Sequence, residues 1–177
     1  FRAGVIGVGH LGQHHARLYA SLPGAQLVGV LDQSPERAQV VADRHGARVF
    51  RTVDELLPHV DVVSVAVPTS GHYAVAKSCL QAGKHLLVEK PIADSVRTAV
   101  ELVEAGKRAS VPMLVGHHRR HNPIMRKAAE VVQGGGVGRV TAVVAMWLSH
   151  KPDDYYKVYW RRQPGGDLPA HRGARGC

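Results

Sequence analysis

The chain has little cysteine, few aromatic residues and a deficit of acidic ones, and each shortage excludes something. Two cysteines, Cys79 and Cys177, stand among 177 residues. They cannot staple a chain of this length, so the fold rests on an apolar core; their scarcity fits a reducing compartment, the cytoplasm. No uncharged apolar run approaches the roughly 18–20 residues of a membrane helix. Phe1-Arg2-Ala3-Gly4 leads straight into a strand-like run, so no secretory leader is expected. Aromatic residues make up 5% of the chain, too few to interleave with basic ones as a stacking platform for single strands. Lys and Arg outnumber Asp and Glu by 23 to 14, a net charge of +9, yet no five like charges run together. The excess reads as a solvated basic face or a pull toward anionic small molecules such as nucleotides, and nucleic acid is not the expected partner. With 45% hydrophobic and 21% charged residues the composition is that of a globular chain, not a disordered one.

Short β-rich runs alternate with helical patterns over the first two-thirds, the mark of a parallel α/β sheet. Strands are predicted at 3–8, 26–31, 48–50, 60–67, 85–88 and 112–116. Helices are predicted at 10–22, 35–45, 53–57, 72–81 and 95–108. Ser34-Pro35 reads as a cap followed by a first-turn proline, and Gly46 as the stop of that helix. Five crossovers in about 115 residues make one doubly wound unit. The pattern then changes. Residues 123–132 look helical, and 139–148 read as a long alternating strand opening a second, antiparallel sheet. From about residue 165 periodicity is lost and disorder is expected. The resulting division is a dinucleotide-binding domain over 1–120 and the incomplete start of an α+β domain over 121–177.

The strongest motif is Gly7-Val8-Gly9-His10-Leu11-Gly12. A lone G-x-G-x-x-G is weak evidence, but this one follows a predicted strand, opens a helix, and has Asp32 twenty residues beyond Gly12. Gly7 allows the tight turn, Gly9 a close approach of backbone to a pyrophosphate, and Gly12 close helix–strand packing. His10 and Leu11 complete the turn, and the helix start offers free N–H groups to phosphate. Asp32 is placed to accept from the adenosine ribose hydroxyls, and its charge disfavours a 2′-phosphate. NAD is therefore expected over NADP, with Arg37 close enough in sequence to weaken the discrimination. Glu89-Lys90-Pro91 ends a strand on the carboxyl edge, where α/β sheets bind ligands, and a lysine there can act as general acid or base.

Four segments now stand in order: Gly7–Gly12, Val67-Pro68-Thr69-Ser70-Gly71-His72, Glu89-Lys90-Pro91, and Gly116-His117-His118-Arg119-Arg120-His121-Asn122-Pro123. Together they resemble the Gfo/Idh/MocA oxidoreductases, over about residues 2–164. The resemblance implies hydride transfer between a nicotinamide cofactor and a secondary alcohol or ketone, usually on a sugar, cyclitol or related ring. It implies Lys90 as the catalytic lysine and Glu89 as the holder of the nicotinamide ribose. Pro68, Thr69 and His72 would line the cofactor near its nicotinamide half, and Arg120 would lie between cofactor and substrate sides. It also implies homo-oligomers. His118 departs from the amide residue common at its position, and Trp160-Arg161 resembles a pair in the family's substrate domain.

The larger departure follows Gly165-Gly166, where the family continues into a helix bearing Asp and His and then a large antiparallel sheet. Asp167 and His171 have the right types in a stretch without a helical face. The expectation is a truncated chain with an unrelated tail, binding cofactor with little or no turnover. The rival is a non-catalytic dinucleotide-binding sensor, which needs Gly7–Gly12 and Asp32 but not Lys90. His14-His15 and the His117/His121 pair, four residues apart, raise the question of metal. No acidic or cysteine ligand lies near the pair in sequence, so none is expected.

Overall fold

The computed structural model describes residues 1–146, 148, 150, 154 and 157. The described residues fall into two units, one over Phe1–Gly116 and one from His117 onward. In the first, β1 (Arg2–Ile6), β2 (Gln26–Leu31), β3 (Arg48–Val49), β4 (Val62–Val65), β5 (His85–Val88) and β6 (Met113–Val115) pair in one sheet. The order is β3-β2-β1-β4-β5-β6 and every pairing is parallel. This is the doubly wound, Rossmann-type arrangement, and the order reverses between β1 and β4, the place where such sheets take ligands.

Parallel strands need crossovers, and five helices supply them: α1 (Gly12–Ser21), α2 (Pro35–His45), α3 (Val53–Leu56), α4 (Thr69–Gln81) and α5 (Val96–Ala109). Side chains alternate across a strand, so neighbours feed different layers. Val5 joins Ala16 of α1 and Ala38, Val41 and Ala42 of α2, with Val30, in one buried cluster. Ile6, next along β1, joins Leu56, Ala76, Leu80 and Leu102 from α3, α4 and α5 in the other. Caps mark the starts: Ser34 Oγ accepts from Arg37 N at 3.2 Å, Thr52 Oγ1 from Glu55 N at 3.1 Å, and Ser95 Oγ from Thr98 N at 3.2 Å.

At the amino ends of the strands, Arg2 holds Asp61: its Nη2 lies 2.7 Å from Oδ1, and its backbone N–H donates to Oδ2 at 2.8 Å. The Arg2 side-chain hydrogen bond is the main reason the Asp61 carboxyl falls from an ordinary 3.8 to about 2. The folded value is depressed, so the pair's contribution to stability is whole above 3.8 and is lost as pH falls toward about 2. Arg2→Ala should move Asp61 only part of the way back toward 3.8 in an NMR titration, because the backbone N–H of residue 2 stays, and should soften acid unfolding between these values.

Several elements differ from the sequence expectation: β4, expected over 60–67, spans Val62–Val65, and α1, expected over 10–22, spans Gly12–Ser21. β1 stops at Ile6 because Gly7 turns the chain at φ +84°. α4 begins at Thr69, a turn before His72: Thr, Ser and Gly are weak helix formers, yet Gly71 N–H donates to Pro68 O at 2.8 Å and starts the helix off the end of β4. The strand expected at 139–148 is absent from its described residues. A strand exists through its ladder partner, and no described segment pairs with this one, leaving Val143, Val144 and Met146 exposed. The second unit contains a 3₁₀ turn over His118–His121 and α6 (Pro123–Gln133), started by Asn122 Oδ1 accepting from Ile124 N at 2.9 Å. The tail from residue 165 lies outside the described residues. Among the described residues, no helix is long and apolar enough to cross a membrane.

Candidate cofactor site

Because all strands run one way, the loops after β1, β2, β4 and β5 emerge at one edge. The loop after β1 is held by its glycines. A Cβ on Gly12 would stand 1.7 Å from Gly7 O, and one on Gly7 would stand 2.7 Å from the backbone of Ala66 and Val67. Backbone cannot step aside as a side chain can, so both positions are closed to any other residue. Gly9 is different: nothing lies within 4 Å of its added Cβ, and its φ is not positive. The fold does not require glycine there.

Asp32, at the end of β2, ties this loop down. Its Oδ2 accepts from Val8 N at 2.7 Å, and its Oδ1 from Ser34 N at 2.9 Å and Arg37 Nη1 at 3.2 Å. A carboxylate offers about four lone-pair sites, so three are used and one on Oδ2 is left. The side chain is 6% exposed. The sequence pointed to a ribose-binding carboxylate; the geometry adds a structural clamp, with Arg37 on its outer oxygen. Asp32→Asn keeps the shape but turns an amide N–H₂ on one side toward a backbone donor. Thermal unfolding should show a loss of about 1–3 kcal/mol.

Pro68 and Thr69 open α4 after β4. His72 turns its ring inward. Its ring is buried, with Nδ1 2.7 Å from Pro91 O and Nε2 2.9 Å from Val67 O. Each nitrogen faces a main-chain carbonyl, and the ring sits between the loops after β4 and β5; a neutral ring has one N–H and donates to one of the two. Glu89 is buried at the end of β5; Lys90 follows, exposed, with a cis bond to Pro91. Glu89 Oε1 lies 3.0 Å from His15 Nε2, and Oε2 accepts from Lys90 N at 3.2 Å. The His15 hydrogen bond is the main reason the Glu89 carboxyl lies below the ordinary range, against the opposing effect of burial.

His15 stands out in the sequence only as half of a histidine pair for which no metal is expected; the fold brings it to Glu89. Its other nitrogen, Nδ1, meets Ser64 Oγ at 3.1 Å. The one available signal was Ser64 itself, a hydroxyl inside an otherwise apolar strand run. Arg120 lies in the second unit, exposed, in the turn over His118–His121. Among the described residues no group of three His, Cys, Asp or Glu side chains is arranged for a metal ion.

The edge therefore collects a glycine loop opening a helix, an acidic residue at the end of β2, and a buried glutamate beside an exposed lysine. Residues 1–117 match the family model GFO_IDH_MocA, described as an oxidoreductase family with an NAD-binding Rossmann fold. The chain belongs to the Gfo/Idh/MocA oxidoreductases. Among the Gfo/Idh/MocA proteins it resembles is the UDP-N-acetylglucosamine 3-dehydrogenase of Acidithiobacillus ferrooxidans. The two are 44% identical over 125 residues, 71% of this chain and 39% of that protein. The inositol 2-dehydrogenase of Rubrobacter xylanophilus is 39% identical over 139 residues, 76% of this chain and 40% of that protein. The crystal structure of GenD2 from gentamicin A biosynthesis in complex with NAD superimposes with a TM-score of 0.73 at 31% identity, covering 77% of this chain and 40% of that one. The chain thus spans about two-fifths of the length of these relatives.

Proposed function

We propose that the chain binds a nicotinamide dinucleotide, NAD in preference to NADP, and supplies the cofactor side of a dehydrogenase for a secondary alcohol or ketone on a sugar, cyclitol or related ring. The contrast among three glycines carries the reading. Gly7 and Gly12 are demanded by neighbouring backbone, whereas nothing among the described residues demands Gly9. A glycine that packing does not need, at the start of a helix, fits a loop whose backbone must lie against a pyrophosphate. The N–H groups of the Gly7–Gly12 loop would hold the phosphates. The remaining lone pair of Asp32 Oδ2 would accept from the adenosine ribose, and its charge, with the clamp fixing it there, opposes a 2′-phosphate. Glu89 would take the nicotinamide ribose. Pro68 and Thr69 would border that half, and Arg120 is assigned to the cofactor on its motif alone.

The bound nicotinamide supplies hydride chemistry. Lys90 Nζ would take the hydroxyl proton as the alcohol is oxidised and return it in the reverse direction, as a general base and acid. Two relatives are named for ring alcohols, UDP-N-acetylglucosamine and inositol, which supports a polyol or sugar substrate.

Calorimetric titration of the purified chain with NADH and NADPH tests the reading. Saturable NADH binding is expected, with NADPH weaker by roughly tenfold. A folded sample that binds neither overturns it. Lys90→Ala then separates enzyme from sensor: binding kept with turnover lost makes Lys90 catalytic. A wild-type chain that binds NADH but oxidises no polyol in a panel is a binding module.

A further inference from the structure

Tyr19, Ser64 and His15 form a polar chain beneath the cofactor edge that dinucleotide binding alone does not explain. Ser64 is 0% exposed in the middle of β4, between Val63 and Val65, which are also 0% exposed. A strand buried on both faces is ordinarily a continuous apolar run, and a hydroxyl placed there needs partners. It has two: Tyr19 OH at 2.9 Å and His15 Nδ1 at 3.1 Å. From the far side of the ring, His15 Nε2 reaches Glu89 Oε1 at 3.0 Å, with the two side chains 15% and 12% exposed.

Counting protons gives the chain a direction. An ionised carboxylate only accepts, so His15 Nε2 carries the proton of that bond. In a neutral ring Nδ1 is then the acceptor, and the Ser64 hydroxyl donates to it. Ser64 Oγ, its proton used, accepts from the Tyr19 hydroxyl. Every donor is spent once, from Tyr19 through to Glu89. Room for the end of the chain comes from Gly116, where a Cβ would come within 2.9 Å of Glu89 Oε1 and 3.0 Å of Oε2. The depressed Glu89 carboxyl, held chiefly by the His15 hydrogen bond, agrees with an acceptor-only partner.

The geometry points to His15 as a positioning residue: through the tautomer that Ser64 and Tyr19 impose on it, His15 fixes the orientation of the Glu89 carboxylate beside Lys90 for contact with the cofactor. The inference rests on the dinucleotide reading of the site.

Two measurements on the full chain test it. In ¹⁵N NMR near neutral pH, His15 should show a protonated Nε2 and an unprotonated Nδ1, and Ser64→Ala should blur that distinction by removing the donor to Nδ1. A doubly protonated ring, or the proton on Nδ1, overturns the inference. In NADH titrations, His15→Ala should weaken binding about tenfold. His15→Gln should recover to within about threefold of wild type, because its amide N–H can donate to Glu89 while its carbonyl accepts from Ser64. Wild-type affinity in His15→Ala overturns the inference. So does a His15→Gln chain that melts like wild type yet binds as weakly as His15→Ala. Should His15→Ala not fold, the wild-type tautomer and the His15→Gln titration still decide. A wild-type chain that does not bind NADH overturns the dinucleotide reading instead, and leaves the tautomer result to stand alone.

Discussion

Gly12→Ala should cost about 3 kcal/mol or more in stability, while Gly9→Ala should leave stability within about 0.5 kcal/mol and still weaken NADH binding by roughly tenfold. The contrast comes from what a single methyl group meets. At Gly12 it would stand 1.7 Å from Gly7 O, far inside the van der Waals contact distance to an oxygen that belongs to the turn itself. Relief requires α1 to lift off the end of β1, which opens the cluster around Val5, Val8 and Ala16. At Gly9 the same methyl group meets no atom of the described residues within 4 Å. A ligand against the loop would object to it. Urea unfolding and NADH titration of both variants check the pair, and equal affinity of Gly9→Ala and wild type would leave Gly9 without a reason.

His72→Ala should destabilise the chain by about 3 kcal/mol, seen as a fall in Tm of about 10 °C. It removes a side chain that is 1% exposed and takes the one N–H of a neutral ring from the carbonyl, of Val67 or Pro91, that accepts it. The cavity and the orphaned acceptor act together. The loss should also be local. His72 joins the loop after β4 to the loop bearing Lys90, so amide exchange at Lys90 and Ile92 should rise more than exchange in β1 or β2. A uniform change across the sheet would show that the tie is only part of the general core.

Gly9, Gly12 and His72 mark where sequence reading succeeds and where it stops. α2 is predicted at its observed bounds because Ser34-Pro35 and Gly46 act locally, through a cap, a fixed φ and a left-handed stop. β2 and β5 likewise match, each being an apolar run closed by turn residues. The start of α4 does not, because Thr69-Ser70-Gly71 becomes helical only on leaving a strand already placed in the sheet. The alternation over 139–148 describes a surface that could pair, not a partner. In the site, the glycine loop and Asp32 are legible since spacing carries their geometry. The chain from Tyr19 to Glu89 is not, because His15 lies 49 residues from Ser64 and 74 from Glu89 in sequence. His72 is legible as a motif residue, but nothing in the motif says that its ring faces inward.

The parallel sheet also has a second end. Gly24, Gly46 and Gly83 follow α1, α2 and α4 with positive φ and precede β2, β3 and β5, and no atom lies within 4 Å of an added Cβ at any of them. These turns sit at the amino ends of the strands, a full strand length from the Gly7–Gly12 loop, Pro68 and Glu89. They are natural anchorage points. A fluorophore, a surface linker or an inserted peptide attached beside Gly24 or Gly83 would hang from the end of the first unit's sheet opposite the candidate cofactor edge. An immobilised or labelled chain built that way would report on NADH without standing in its path.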